Sequence, residues 1–135
     1  MSQPHMSDAD YALLADFRAT LREFMAFSEN QARSMGLTPQ QHQALLTIRG
    51  TELGRATVGY VAERMMLKPH SASGLLSRLE EAGLIIREQD KRDQRKTFLR
   101  LTAEAESVLE SLSLAHLEEL GNLKPLLLQM INQFC

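Results

Sequence analysis

The stretch KPHSASGLLSRLEEAGLIIREQDKRDQRKTFLRL, residues 68–101, changes its hydrophobic period partway along, and that change decides the fold. Over residues 69–82, Ala72, Leu75, Leu76, Leu79 and Ala82 recur three and four apart, the spacing of one helical face. Pro69 suits the first helical position, where no amide is needed, and Gly83 suits the stop. Residues 84–87 and 97–101 are then short β-prone runs on either side of a wholly polar stretch, residues 89–96. Two such runs around a polar tip predict an antiparallel hairpin. The tip lacks glycine and exceeds a tight turn, so it is expected to project into solvent.

Upstream, Thr57 caps a short helix carrying Val58, Val61, Ala62 and Met65, with Leu67 and Lys68 as a brief turn into the next helix. Two short helices joined in this way predict a helix-turn-helix. Met65 and Met66 are expected in its core. Before it, Thr38, Pro39 and Gln41 form the opening of a helix whose buried face is Ala44, Leu45 and Ile48, with a break over residues 50–54. A long helix is expected over residues 9–33, striped by Leu13, Phe17, Leu21, Phe24 and Met25, widened by Leu14 and Phe27, and ended by Gly36. Downstream, Thr102 caps a helix with Glu104 and Glu106 at the positive end of its dipole. Val108, Leu109, Leu112, Ala115 and Leu120 mark its expected buried face. Gly121 breaks it, and Pro125 begins a last segment that is apolar nearly all round.

The order helix, helix, helix-turn-helix, hairpin, helix, helix is that of a winged-helix protein. The fold class expected is mainly α with a small β-hairpin wing. One domain, residues 1–135, is expected to contain a lobe at 38–101 flanked by terminal helices at 9–33 and 103–134. Apolar residues make up 44% of the 135, ordinary for a globular chain and enough for one core. No apolar run approaches the ~20 residues of a membrane span, and the first residues lack a secretory pattern. Cys135, the single cysteine, excludes an internal disulfide and points to a reducing cytoplasm, with no further role assigned to it.

The net charge of −2 hides an uneven distribution. Residues 68–100 hold eight Lys/Arg against five Asp/Glu, whereas residues 101–135 hold one against five. Local charge decides where a phosphate backbone is attracted. An enzyme has little support: there is no nucleophile–base pairing, phosphate-cradling loop or metal set, and His5, His42, His70 and His116 are scattered. No cofactor and no metal are expected.

Residues 90–96, DKRDQRK, followed by Leu101 and Thr102, resemble the D-x-R-D-x-R wing of the multiple-antibiotic-resistance regulator (MarR) family. Residues 75–84, LLSRLEEAGL, are similar to the end of that family's recognition helix. With the flanking helices the resemblance covers nearly the whole chain. It implies a homodimeric transcription regulator binding double-stranded DNA at a pseudo-palindromic site, a repressor released by a small, often aromatic, effector.

The residue types suit that role. His70, Ser73, Gly74 and Ser77 lie opposite the apolar stripe, with Ser71 and Arg78 at its flanks. Small polar side chains there let a helix lie deep in the major groove. Gly74 costs helix stability, about 1 kcal/mol against alanine, but permits close approach. Lys68 and the helix N-terminus are placed to meet phosphate. Arg78 is suited to a guanine edge or a phosphate, or to pairing with Glu80 or Glu81. By resemblance Arg95 enters the minor groove, with Lys91, Arg92 and Lys96 beside it. Asp90 and Asp93 are expected to orient Arg92 and Arg95 through charge-assisted hydrogen bonds.

The terminal helices carry more apolar surface than one chain can cover. Leu114, Leu117, Leu123, Leu126, Leu127, Leu128, Ile131 and Phe134 are candidates for a face buried between two copies. The resemblance also implies an effector crevice between terminal helices and lobe, often used for small aromatic anions, for which Arg18, Arg22 and His42 are the candidate residues. Ala105 stands where that family commonly has glycine, and the C-terminal segment is short for it, which leaves the dimer contact open. The competing reading is a helical dimeric interaction module whose basic hairpin binds an acidic partner.

Overall fold

The computed structural model describes residues 5–52 and 55–134. Leu53 and Gly54 of the expected break, and Cys135, lie outside the described residues. Among the described residues six helices and one hairpin follow in the expected order: α1 Asp8–Ser34, α2 Pro39–Arg49, α3 Val58–Met65, α4 Pro69–Glu81, β1 Ile85–Gln89, β2 Thr97–Leu101, α5 Ala103–Gly121 and α6 Lys124–Phe134.

The helix starts are set by side-chain caps. Thr38, Thr57 and Thr102 each accept a hydrogen bond from the amide three residues on, and the Thr38 amide donates in turn to Gln41 Oε1. Each such cap contributes about 1 kcal/mol. At α1 the reciprocal pair is Ser7 with Asp10, a signal missed in reading the sequence. Gly36 and Gly83 end α1 and α4 with φ of +79° and +75°. In each case the next residue's amide reaches back to a helical carbonyl, Leu37 to Ala32 and Leu84 to Leu79.

The turn between α3 and α4 uses the same device without glycine. Met66 takes φ 56° while the Leu67 amide donates to the Ala62 carbonyl at 2.9 Å. The expectation that Met66 belongs to the core is corrected here. The left-handed backbone points its side chain away, and it is 93% exposed, whereas Met65 packs against the core.

β1 and β2 pair antiparallel, Ile85 opposite Leu101 through Gln89 opposite Thr97. The other edge of β2 is tied down where Leu99 donates its amide to the Ala56 carbonyl at 2.8 Å. Leu45, Val61, Leu76, Leu79, Ile85 and Leu112 are fully buried in one cluster drawn from α2, α3, α4, the hairpin and α5. That cluster fixes the wing and α4 to the same support.

The terminal helices differ from expectation in two residues. Leu120, assigned to the buried face of α5, is exposed, because the last turns of α5 run past the lobe. Leu123, assigned to an intermolecular face, is instead buried within the chain at the α5–α6 bend. No residue of α6 is buried, and Gln133 reaches back to hydrogen-bond Asp10 of α1.

Candidate nucleic-acid interface

α4 presents two faces of opposite character. Ala72, Leu75, Leu76 and Leu79 are buried, while His70, Ser71 and Arg78 are exposed and Ser73, Gly74 and Ser77 half-buried. The N-terminal end is left open. Lys68 occupies the cap position without a capping bond, and Pro69 has no amide to satisfy. Uncapped amides at the positive end of a helix dipole favour an anion such as phosphate.

A Cβ added at Gly74 would lie 3.6 Å from an Arg78 guanidinium nitrogen and meet nothing closer. Nothing within the chain therefore demands glycine there. Among the described residues Arg78 forms no ion pair, so neither Glu80 nor Glu81 is its partner. Glu80 is taken by Arg87 of β1, at 3.3 Å, and Arg87 also lies 3.5 Å from the Ser77 hydroxyl. This link between the wing strand and α4 escaped the sequence reading. Arg87 and Glu80 meet across the turn at Gly83, a contact that no helical or strand period encodes.

At the wing tip the two aspartates act differently. Asp93 receives both Nε and Nη2 of Arg95, at 3.0 and 3.2 Å, and also its backbone amide at 3.1 Å. The Arg95 side-chain bonds, and after them the amide, hold the Asp93 carboxyl below its ordinary range. The same contact raises the Arg95 guanidinium further above its usual value. Asp90 instead accepts only the backbone amide of Arg92, at 2.9 Å. It shapes the loop and does not orient the Arg92 side chain. Arg95 remains 90% exposed, so a planar cation stands braced at the tip. Lys91, Arg92 and Lys96 are exposed beside it. At the base of the hairpin Arg100 pairs with Glu88 at 3.1 Å.

The residues expected to line an effector crevice are not brought together within the chain. Arg18 and Arg22 are exposed, and by helical rotation Arg22 lies on the side of α1 away from Phe24 and Ser28. His42 is 3% exposed and faces His116 of α5. The clefts that α1 and α5 do form are walled by Phe24, Glu23 and Glu119 in one case and by Phe27, Glu118 and Glu119 in the other. Among the described residues no three His, Cys, Asp or Glu side chains cluster to hold a metal. No helix of the described residues is long and apolar enough to cross a membrane.

An exposed polar helix set at a fixed angle to a cation-tipped hairpin defines a winged helix-turn-helix protein. Residues 35–96 match the MarR family. The chain is 33% identical over 101 residues to the HTH-type transcriptional regulator FarR of Neisseria gonorrhoeae, covering 75% of this chain and 60% of that protein. It is 33% identical over 105 residues to the HTH-type transcriptional repressor MdtR of Bacillus subtilis (strain 168), covering 78% and 64%. The chain thus spans about three-fifths of the length of these curated relatives. MepR of S. aureus has been solved with DNA and with ethidium bromide. The DNA complex superposes with a TM-score of 0.68 at 20% identity, covering 90% of this chain and 85% of that one. The ethidium complex gives 0.62 at 20% identity, covering 88% and 80%. By the match over residues 35–96 and by these relatives, the chain is similar to the MarR family of winged helix-turn-helix proteins.

Proposed function

We propose that this chain is a sequence-specific double-stranded DNA-binding transcription regulator, a cytoplasmic repressor and not an enzyme. The observation that carries this is the pairing of the polar outer face of α4, with its open N-terminus, and the Asp93-braced Arg95 on one rigid support. α4 would read the major groove, with Lys68, His70, Ser71, Ser73, Gly74, Ser77 and Arg78 facing it. Arg95 would enter the adjacent minor groove, while Lys91, Arg92 and Lys96 meet phosphates. The names of FarR and MdtR, a regulator and a repressor, point the same way.

One α4 and one wing read too few base pairs for useful selectivity. The regulator would therefore act as a homodimer on a pseudo-palindromic site, joined through the exposed leucines of its terminal helices. Selection of duplexes from a random pool, followed by anisotropy at several salt concentrations, tests the reading. One enriched inverted repeat and a steep salt dependence are expected. Equal affinity for unrelated duplexes, or for an acidic peptide, would favour the interaction-module reading.

The carboxylates beside Phe24 and Phe27 bear on the effector. Glu23, Glu118 and Glu119 repel anions, so an aromatic effector bound in these clefts would be a cation. That MepR was solved with ethidium bromide, an aromatic cation, agrees. Ethidium fluorescence anisotropy without DNA is expected to rise with this protein and to fall back in Glu119→Gln. An aromatic carboxylate competing as well as a cation would contradict it.

A further inference from the structure

We infer that His42 and His116 form a proton-sensitive joint between the DNA-reading lobe and the terminal helices, through which acidification weakens DNA binding. The inference rests on the regulator reading above and names a control acting on that site.

His42 projects from α2 into the place where α1 and α5 meet it. Its ring lies 5.0 Å from that of His116, centroid to centroid, and its Nδ1 is buried with no hydrogen-bond partner among the described residues. His116 is held at both nitrogens. Its Nδ1, 2.6 Å from the Leu112 carbonyl oxygen, must donate, because a carbonyl only accepts. Its Nε2, 2.7 Å from the Ser28 hydroxyl, then accepts from Ser28 when the ring is neutral. Phe24 and Phe27 set their edges against the same ring at 5.8 and 5.5 Å. Three helices thus converge on two imidazoles.

A buried ring nitrogen left unpaired costs stability, and an aliphatic side chain would fill the place without that cost. What the imidazole adds is a charge that changes near neutral pH. Burial first, and then the positive charge of His116, holds His42 below its ordinary 6.5. Among the described residues neither ring pairs with a carboxylate. α1 presents Phe24, Phe27 and Ser28, α5 presents His116, and α3, α4 and β2 meet α2 through the apolar cluster. The charged contact between α2 and α5, Arg49 with Glu106 at 2.9 Å, sits at the far end of α2.

A proton on His42 Nδ1 therefore finds neither counter-charge nor acceptor among the described residues while the joint is closed. Because the closed state depresses the pKa, it is fully favoured above pH 6.5. It loses ground as pH falls from 6.5 toward the depressed value. Opening frees α2, and with it the lobe, to tilt against α1 and α5, which changes the set of α4 relative to a partner's.

The test is an anisotropy titration of the full chain with its selected duplex, from about pH 7.5 to about pH 5.5 at constant ionic strength. The wild type is expected to lose affinity by about tenfold for each pKa unit of His42 depression. His42→Gln and His42→Leu are expected to abolish that dependence. The same pH range, followed by NMR of the histidine and phenylalanine rings without DNA, should move His42, Phe24 and Phe27 together. A flat wild-type profile, or an equal slope in the His42 variants, would overturn the proposal. Should those variants not fold, the wild-type spectra decide: a His42 that titrates while Phe24 and Phe27 stay unmoved overturns it. No duplex bound at pH 7.5 would instead defeat the regulator reading, and the ring spectra would still report on the joint.

Discussion

Arg95 shows how one side chain can be braced at the surface without any cost to the core. It is almost wholly exposed and held by Asp93 in two places, so Arg95→Ala should leave folding unchanged while weakening specific binding about tenfold to a hundredfold. Anisotropy beside a circular dichroism melt checks both halves, and unchanged affinity would remove Arg95 from the interface. Asp93→Ala should lose less, because the cation survives and only its orientation goes. Arg87 makes a different case. It is the residue tying β1 to α4, through Glu80 and Ser77, yet in the sequence it was legible only as the end of a β-prone run. A double-mutant cycle on Arg87→Ala and Glu80→Ala, read by DNA affinity, should be non-additive if the link positions the wing. Additive losses would mean that Arg87 acts on DNA directly.

α4 has a polar outer face and a buried inner face that substitutions should separate. Ser77→Glu places bulk and negative charge on the outer side and should abolish specific binding with the melt little changed. Leu76→Ala, at a fully buried site, should cost about 2–5 kcal/mol of stability. Gly74→Ala meets no internal obstacle and should stabilise the helix by up to about 1 kcal/mol while weakening DNA binding. If it stabilises without touching affinity, the helix does not approach DNA closely at that point. The turn before α4 offers an independent check on the backbone. Met66 holds a left-handed conformation with its side chain in solvent, so Met66→Gly should raise stability by about 1 kcal/mol. The strands were legible as elements, but β1 was read one residue early and too short. The reason is that Glu88 and Gln89 pair by backbone bonds that their polar side chains do not advertise.

For the whole molecule, the exposed leucines of the terminal helices carry the prediction. Leu114 and Leu117 of α5, with Leu127, Leu128 and Ile131 of α6, are 42–66% exposed, a larger apolar surface than a monomer ordinarily leaves in water. Sedimentation equilibrium at low micromolar concentration should find a dimer, and Leu117→Arg should give a folded monomer with weak DNA affinity. A stable wild-type monomer would refute this. By itself the sequence determined the order of elements, the caps at Thr38, Thr57 and Thr102, the inward face of α4 from Ala72 to Leu79, though not the exposed Ala82 at its end, and the basic concentration around the wing. These follow from local periodicity and from side chains reaching three residues along the chain, which a linear reading can see. Only the tertiary structure decided that Met66 faces solvent, that Leu123 is buried at the α5–α6 bend, that Glu80 belongs to Arg87, and that His42 meets His116. Each depends on how helices cross and where the backbone turns between them, and burial of an apolar or polar side chain against a distant element leaves no period in the sequence.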